Sequence, residues 1–497
     1  MIKREFLFFY FLDNNRIHGN NNRKKDLILE KLKKAATLKL PARAGIWSVI
    51  SGLVSRGVGV VGTPIFTRLL TPEEYGIYPL YTTWLSILSS IMISTLAGSA
   101  IYRALQRYGK RREEFIAGAT GLGLLLGGGT LMLALILRDK AVLLTGIPYR
   151  LILLMISETA AGSVLSLRSA IYKYEYKYKS LALINITTAI LTPAIALFFV
   201  LFTPLRREAR MLGSAISTVA VALPLFLRAQ RGGRLYSREI WKYLIRVNAP
   251  LVPHYLSSGL ILRISEIVIG RSHGEAALAK YSVGVSVGLA LTFLTNALSQ
   301  VISPWIIRKE REGKNEEIKS TLNLASGLLI TATLLILAVA PEILDIMTPA
   351  EYGDALPTVY PLALSVTAMF ISGAISAAEA YYEKSIRASL PTVITALVTV
   401  AVTSLLLPGL DYRISSLFTL GAYIILVLLS ALTFKSISGK SIIDLDKCTL
   451  LLSLSILFAS ILFVLSDRLA LRIILSLPLI PLLLFLLYKT YKRIKES

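Results

Sequence analysis

Apolar runs of roughly 18–25 residues, parted by short charged segments, recur from about residue 44 to residue 488 and constrain this chain more than any other feature. Each run is long enough to cross about 30 Å of hydrocarbon as a helix. Only helices and closed barrels satisfy their backbone groups in lipid, and barrel strands show as short alternating segments. Continuous runs therefore predict helices. The candidate spans are about 44–66, 77–102, 115–137, 149–170, 181–203, 211–228, 247–270, 279–305, 321–346, 357–381, 389–409, 414–434, 448–466 and 469–488. Composition fits a membrane location: charged residues make up 17% of the chain, against about 25% in soluble domains. The expected fold class is all-α, a polytopic membrane protein with about fourteen transmembrane helices.

Loop charge sets the orientation. The net charge is +24, and Lys and Arg gather in the segments 103–114, 171–180, 228–246, 307–319, 382–388 and 435–447. The segment 341–356 has neither, and carries Glu342, Asp345, Glu351 and Asp354. Basic loops stay on the cytoplasmic side, so both termini are expected there, in a multi-pass protein of the cytoplasmic membrane. This distribution assigns the positive charge to topology and anionic headgroups rather than to nucleic acid. Residues 1–40 read as a basic cytoplasmic tail without a signal-peptide cleavage site, with an amphipathic surface helix or disorder over Lys24–Leu40. Cys448 is the single cysteine, so no disulfide forms within the chain, and His18, His254 and His273 lack zinc-site spacing.

The chain also repeats itself. Ser51-Gly52-Leu53-Val54-Ser55-Arg56 and Ser258-Gly259-Leu260-Ile261-Leu262-Arg263 share S-G-L-x-x-R at an offset of 258 − 51 = 207. Tyr75 and Tyr281, and Tyr176 and Tyr382, are each 206 apart (281 − 75 and 382 − 176). Two six-helix lobes are expected, 41–230 and 246–435, related by a pseudo-two-fold axis along the membrane normal, with helices 13 and 14 (448–490) added. Such halves hold a substrate between them and expose it to either side in turn.

The stretch Phe66-Thr67-Arg68-Leu69-Leu70-Thr71-Pro72-Glu73-Glu74-Tyr75-Gly76-Ile77-Tyr78 resembles the first-loop signature of the O-antigen and polysaccharide flippases: R-x-L, an acidic turn, then Y-G-x-Y. The resemblance runs from about residue 42 to the end. It implies membership of the multidrug/oligosaccharidyl-lipid/polysaccharide exporter superfamily, two lobes in a V around a cationic cavity, and transfer of polyprenyl-pyrophosphate-linked oligosaccharide between leaflets. Many relatives carry an Asp-Arg pair midway along helix seven; Ser265 and Glu266 stand there in this chain.

Arg56 and Arg263 stand inside the first and seventh spans, flanked by apolar residues. A lipid-facing charge at mid-bilayer costs at least about 2.5–3.5 kcal/mol, so both should face the interior or a wet cavity. The arginine fork suits phosphate, and a pyrophosphate clamp is expected from the pair. The competing reading pairs Arg263 with Glu266, three residues on. Asn248 and Asn296 are candidates for sugar hydroxyls, with helix–helix bonding as the alternative. Glu158, Glu266 and Glu379 are candidates for a coupling ion, Na+ or H+, with ion pairing as the alternative. No other cofactor is expected. The glycines of 118–129 suit close helix packing, because the Lys and Ser/Thr of a phosphate loop are absent.

A lipid-linked peptidoglycan-precursor flippase shares this plan. A multidrug cation antiporter needs an anionic cavity, which arginines oppose. An enzyme needs a catalytic constellation, and the outside loops, the longest about fifteen residues, offer none. The partners expected are the lipid-linked oligosaccharide and membrane lipids, with a monomeric chain.

Overall fold

The computed structural model describes residue 47, residues 51–97 except 53, 56 and 60, residues 101–382 and residues 385–496. The tail assigned to 1–40 lies outside these. The described chain is helical and without strands. In order come α1 (residues 51–69, helical at every described position), α2 (Pro72–Ala97), α3 (Ile101–Arg107), α4 (Arg112–Ile136), α5 (Arg138–Thr145), α6 (Tyr149–Tyr174), α7 (Tyr178–Phe202), α8 (Ala209–Gln230) and α9 (Arg238–Asn248). The second half runs through α10 (Val252–Ser272), α11 (Gly274–Gly288), α12 (Thr292–Arg311), α13 (Asn315–Ala338), α14 (Ala340–Met347), α15 (Leu356–Tyr381), α16 (Ser385–Leu406) and α17 (Ser415–Ser438). The chain closes with α18 (Leu445–Val464), α19 (Leu469–Ser476) and α20 (Leu479–Glu496).

Among the described residues ten helices are long and apolar enough to cross a membrane, or eleven if α11 and α12, bent by 43°, make one span. The expected fourteen is therefore not reached. One of the helices not counted is α10, which carries Arg263, Glu266 and Arg271 within 21 residues. The first span, moreover, is described only in part.

Helix spacing repeats along the chain. Helices α15, α16 and α17 start 356 − 149 = 207, 385 − 178 = 207 and 415 − 209 = 206 residues after α6, α7 and α8. The break after α4 that starts α5 recurs after α13, where α14 begins. Within the first half α2, α4, α7 and α8 gather around α6, and α7 lies along α8. Within the second, α12, α16 and α17 surround α15, and α10 lies along α16.

The two ends of the bundle differ. At the end that carries the loops near residues 70, 146, 206, 273, 350 and 410, the halves share cores. Phe66, Leu70 and Tyr75 pack with Val283, Met347 and Tyr352. Ile77, Tyr81 and Met155 pack with Ile264, Val268 and Leu362. At the opposite end each half has its own core. Ile101, Phe115, Ile171 and Leu244 form one, and Trp305, Leu322, Ile375 and Phe434 form another. Helices α18 and α20 lie on α13 and so belong to the second half's side. Arg472 of α19 is 1% exposed and donates from both terminal nitrogens to Glu342 of α14, at 3.0 and 2.5 Å.

The aromatic-basic run 172–179 is the α6–α7 turn. Tyr176 takes a left-handed φ of 56°, and Glu175 pairs with Arg112 and Lys177. The glycine run lies within α4. A Cβ at Gly121 would strike the Leu235 carbonyl oxygen, which lets that loop lie directly on the helix.

Candidate functional site

Helix α2 begins with a local signal. Thr71 accepts from the Glu74 amide at 3.2 Å, and its own amide donates to the Glu74 carboxylate at 3.1 Å, which makes a capping box with Pro72 at the first helical position. The box aims Tyr75-Gly76-Ile77-Tyr78 at the second half. Gly76 sits where any Cβ would collide with the Glu275 carbonyl oxygen, so only glycine allows this approach of α2 to the start of α11. Around it, the Thr67 hydroxyl donates to the Met347 carbonyl at 2.9 Å. Arg68 donates to the Ile346 carbonyl at 3.0 Å, and Arg207 pairs with Glu275 at 2.5 Å. Tyr75 meets Tyr352 edge-on, with ring centroids 6.2 Å apart. Together these contacts seal one end of the space between the halves.

Deeper along the same contact stand Arg263 and Glu266 of α10. Arg263 Nη1 donates to both Glu266 carboxylate oxygens, at 2.8 and 3.0 Å, and the Thr83 hydroxyl of α2 donates to the same carboxylate. The Glu266 side chain is 2% exposed and that of Arg263 is 30% exposed. The carboxylate is thus fixed from both halves, while the guanidinium keeps an accessible edge. Arg56, assigned to the same clamp, lies outside the described residues.

The other candidates disperse. Asn248 is fully buried at the end of α9, whereas Asn296 is exposed on α12. Glu158 of α6 is buried and saturated: Tyr81 and Ser214 each donate to one of its oxygens at 2.6 Å. Glu379 of α15 is equally buried, yet neither oxygen has a hydrogen-bond partner among the described residues. An isolated buried carboxylate is costly unless a proton or cation neutralises it.

Two arginines escaped the reading of the sequence, one buried and one half-buried. One is Arg472, already described. The other is Arg210, near the start of α8, whose guanidinium lies over the rings of Tyr78, Tyr75 and Phe66 at 3.9, 4.4 and 5.1 Å. A cation beside an apolar run was the available signal in both cases.

The profile of the polysaccharide biosynthesis protein family matches residues 42–310. No curated protein matches the chain by sequence. A solved structure of the lipid II flippase MurJ in an inward closed conformation is similar at a TM-score of 0.70 and 12% identity, over 89% of this chain and 99% of that one. A multidrug resistance MATE family transporter of the MOP superfamily, inward-facing, is similar at 0.59 and 15% identity, over 80% and 99%. These likenesses establish the fold.

Proposed function

The chain belongs to the polysaccharide biosynthesis protein family, a membrane transporter and not an enzyme, and from that premise we propose that it flips polyprenyl-pyrophosphate-linked oligosaccharide across the cytoplasmic membrane by alternating access, with both termini cytoplasmic. The observation that carries this reading is Arg263, a half-buried cation at the contact between the halves whose partner Glu266 is itself anchored across that contact. Such an arginine can offer its remaining N–H donors to a diphosphate without moving its anchor. Arg56 would supply the second cation from the first half. The molecule's sealed and split ends are what alternating access requires of one of its two states.

Coupling falls to Glu379 rather than Glu158 in this reading. Tyr81 and Ser214 already satisfy Glu158, whereas Glu379 needs a proton or Na+ to offset its burial.

The test is flipping by purified protein in liposomes, read as arrival of a polyprenyl-pyrophosphate oligosaccharide in the opposite leaflet. Wild type should flip, and Arg56→Ala and Arg263→Ala should each lose at least tenfold. Gradient-driven efflux of an organic cation without flipping would reassign the chain to drug antiport. Flipping of a peptidoglycan precursor in place of the oligosaccharide would reassign the cargo alone. Glu379→Gln should abolish dependence on the proton or sodium gradient, and an unchanged dependence refutes the coupling role.

A further inference from the structure

A cavity of about 230 Å³ lies inside the first half, between α1, α2, α7 and α8, and Arg263 is not among its lining residues. Ser55, Thr63, Tyr78, Thr188, Thr192 and Arg210 are among its lining residues. We propose that this cavity binds a phosphate-class oxyanion, with Arg210 as its cationic anchor.

Arg210 is a cation left incomplete by the protein. Its Nη1 is buried and has no hydrogen-bond partner, and no ion pair reaches it among the described residues. Four carboxylates of the surrounding elements are engaged elsewhere: Glu158 with Tyr81 and Ser214, Glu208 with Arg150, Glu74 with Arg206 and Glu275 with Arg207. Three aromatic rings hold the guanidinium through its π-system. That support orients the plane, and the part of the guanidinium that lines the cavity is what a ligand oxygen would meet.

Position adds to chemistry. Arg210 stands in the first turn of α8, where the helix dipole disfavours a cation and favours an anion. An oxyanion in the cavity answers the guanidinium charge and the dipole together. The remaining walls can help. The Thr63 and Thr188 hydroxyls donate only to carbonyls of their own helices, and Thr192 shares a bond with Ser217 at 2.6 Å. Each O–H can rotate toward a ligand at the cost of one local bond. The free cation argues against a metal or an organic cation in this cavity.

Equilibrium dialysis of the full-length protein in detergent against radiolabelled inorganic phosphate, at constant ionic strength, tests the site. Wild type should show saturable binding. Arg210→Gln should weaken its tightest component at least tenfold. Arg210→Lys, which keeps charge but loses the fork, should fall between, and Arg263→Gln should leave that component intact. Thr192→Val retains the arginine and should weaken binding about threefold, so it carries the test should Arg210→Gln fail to run as a single species. A short-chain polyprenyl phosphate that displaces the label makes a lipid headgroup the occupant, and one that does not makes it the free ion; both fit an oxyanion site. Absence of saturable binding, equal binding by Arg210→Gln, loss in Arg263→Gln alone, or displacement by equimolar chloride overturns it. Binding is read without transport, so a failed flipping assay leaves this result standing.

Discussion

The two ends of the molecule are built on different principles. At one end helices of both halves share apolar cores, and side chains of the first half reach backbone carbonyls of the second. At the other end each half closes on its own core. Ion pairs there, such as Arg111 with Glu114 and Glu239, stay within the first half. A bundle joined at one end and divided at the other can hinge, whereas one joined throughout could not. What is cemented is also what must come apart, so the sealed end has to be held by interactions of moderate strength. Hydrogen bonds to carbonyls, the exposed Arg207–Glu275 ion pair and one aromatic contact meet that condition.

The asymmetry is sharpest at Gly76. Replacing it with Val should drive α2 away from Glu275 and open the sealed end. In a Cys448→Ser background, a cysteine introduced by Tyr352→Cys should then react with a water-soluble maleimide more than tenfold faster, a shift of over about 1.4 kcal/mol in the closure equilibrium. An unchanged rate would mean that the approach of α2 to α11 does not hold the end shut. Thr67→Val removes one buried hydrogen bond to Met347. It should loosen the same closure by about 1 kcal/mol, or roughly fivefold in the labelling rate. Arg111→Ala, at the divided end, removes exposed, solvent-screened ion pairs of the first half and should leave labelling at position 352 within twofold of the parent. If it opened the sealed end as far as Gly76→Val does, the two ends would not be independent.

Much of this was legible in the sequence, because membrane helices are specified locally. Apolar length located the spans, and Thr71 to Tyr78 reads as cap, acidic first turn and contact surface in order. The number of clear crossings was harder to read, since α10 mixes Arg263, Glu266 and Arg271 into its apolar face and owes its place to packing against α2 and α16. Sites depend on contacts between distant residues. Nothing near Arg210 in sequence reveals that Tyr75 and Tyr78, over 130 residues earlier, will hold its guanidinium. Glu158 and Glu379 look alike as lone carboxylates in apolar runs. Only the fold gives one two hydroxyl donors and leaves the other without any among the described residues. Asn248 and Asn296 likewise differ through burial alone.

The Arg472–Glu342 contact makes the halves dynamically unequal. Detaching the last helices would break a two-pronged ion pair on a buried arginine, so they travel with the second half. In a viscous bilayer a broader body turns more slowly than a narrow one. On the proposed alternating-access reading, the second half, widened by α18, α19 and α20, is the broader body, and the first half, with Arg210 and its aromatic clamp, is the narrower one that swings against it.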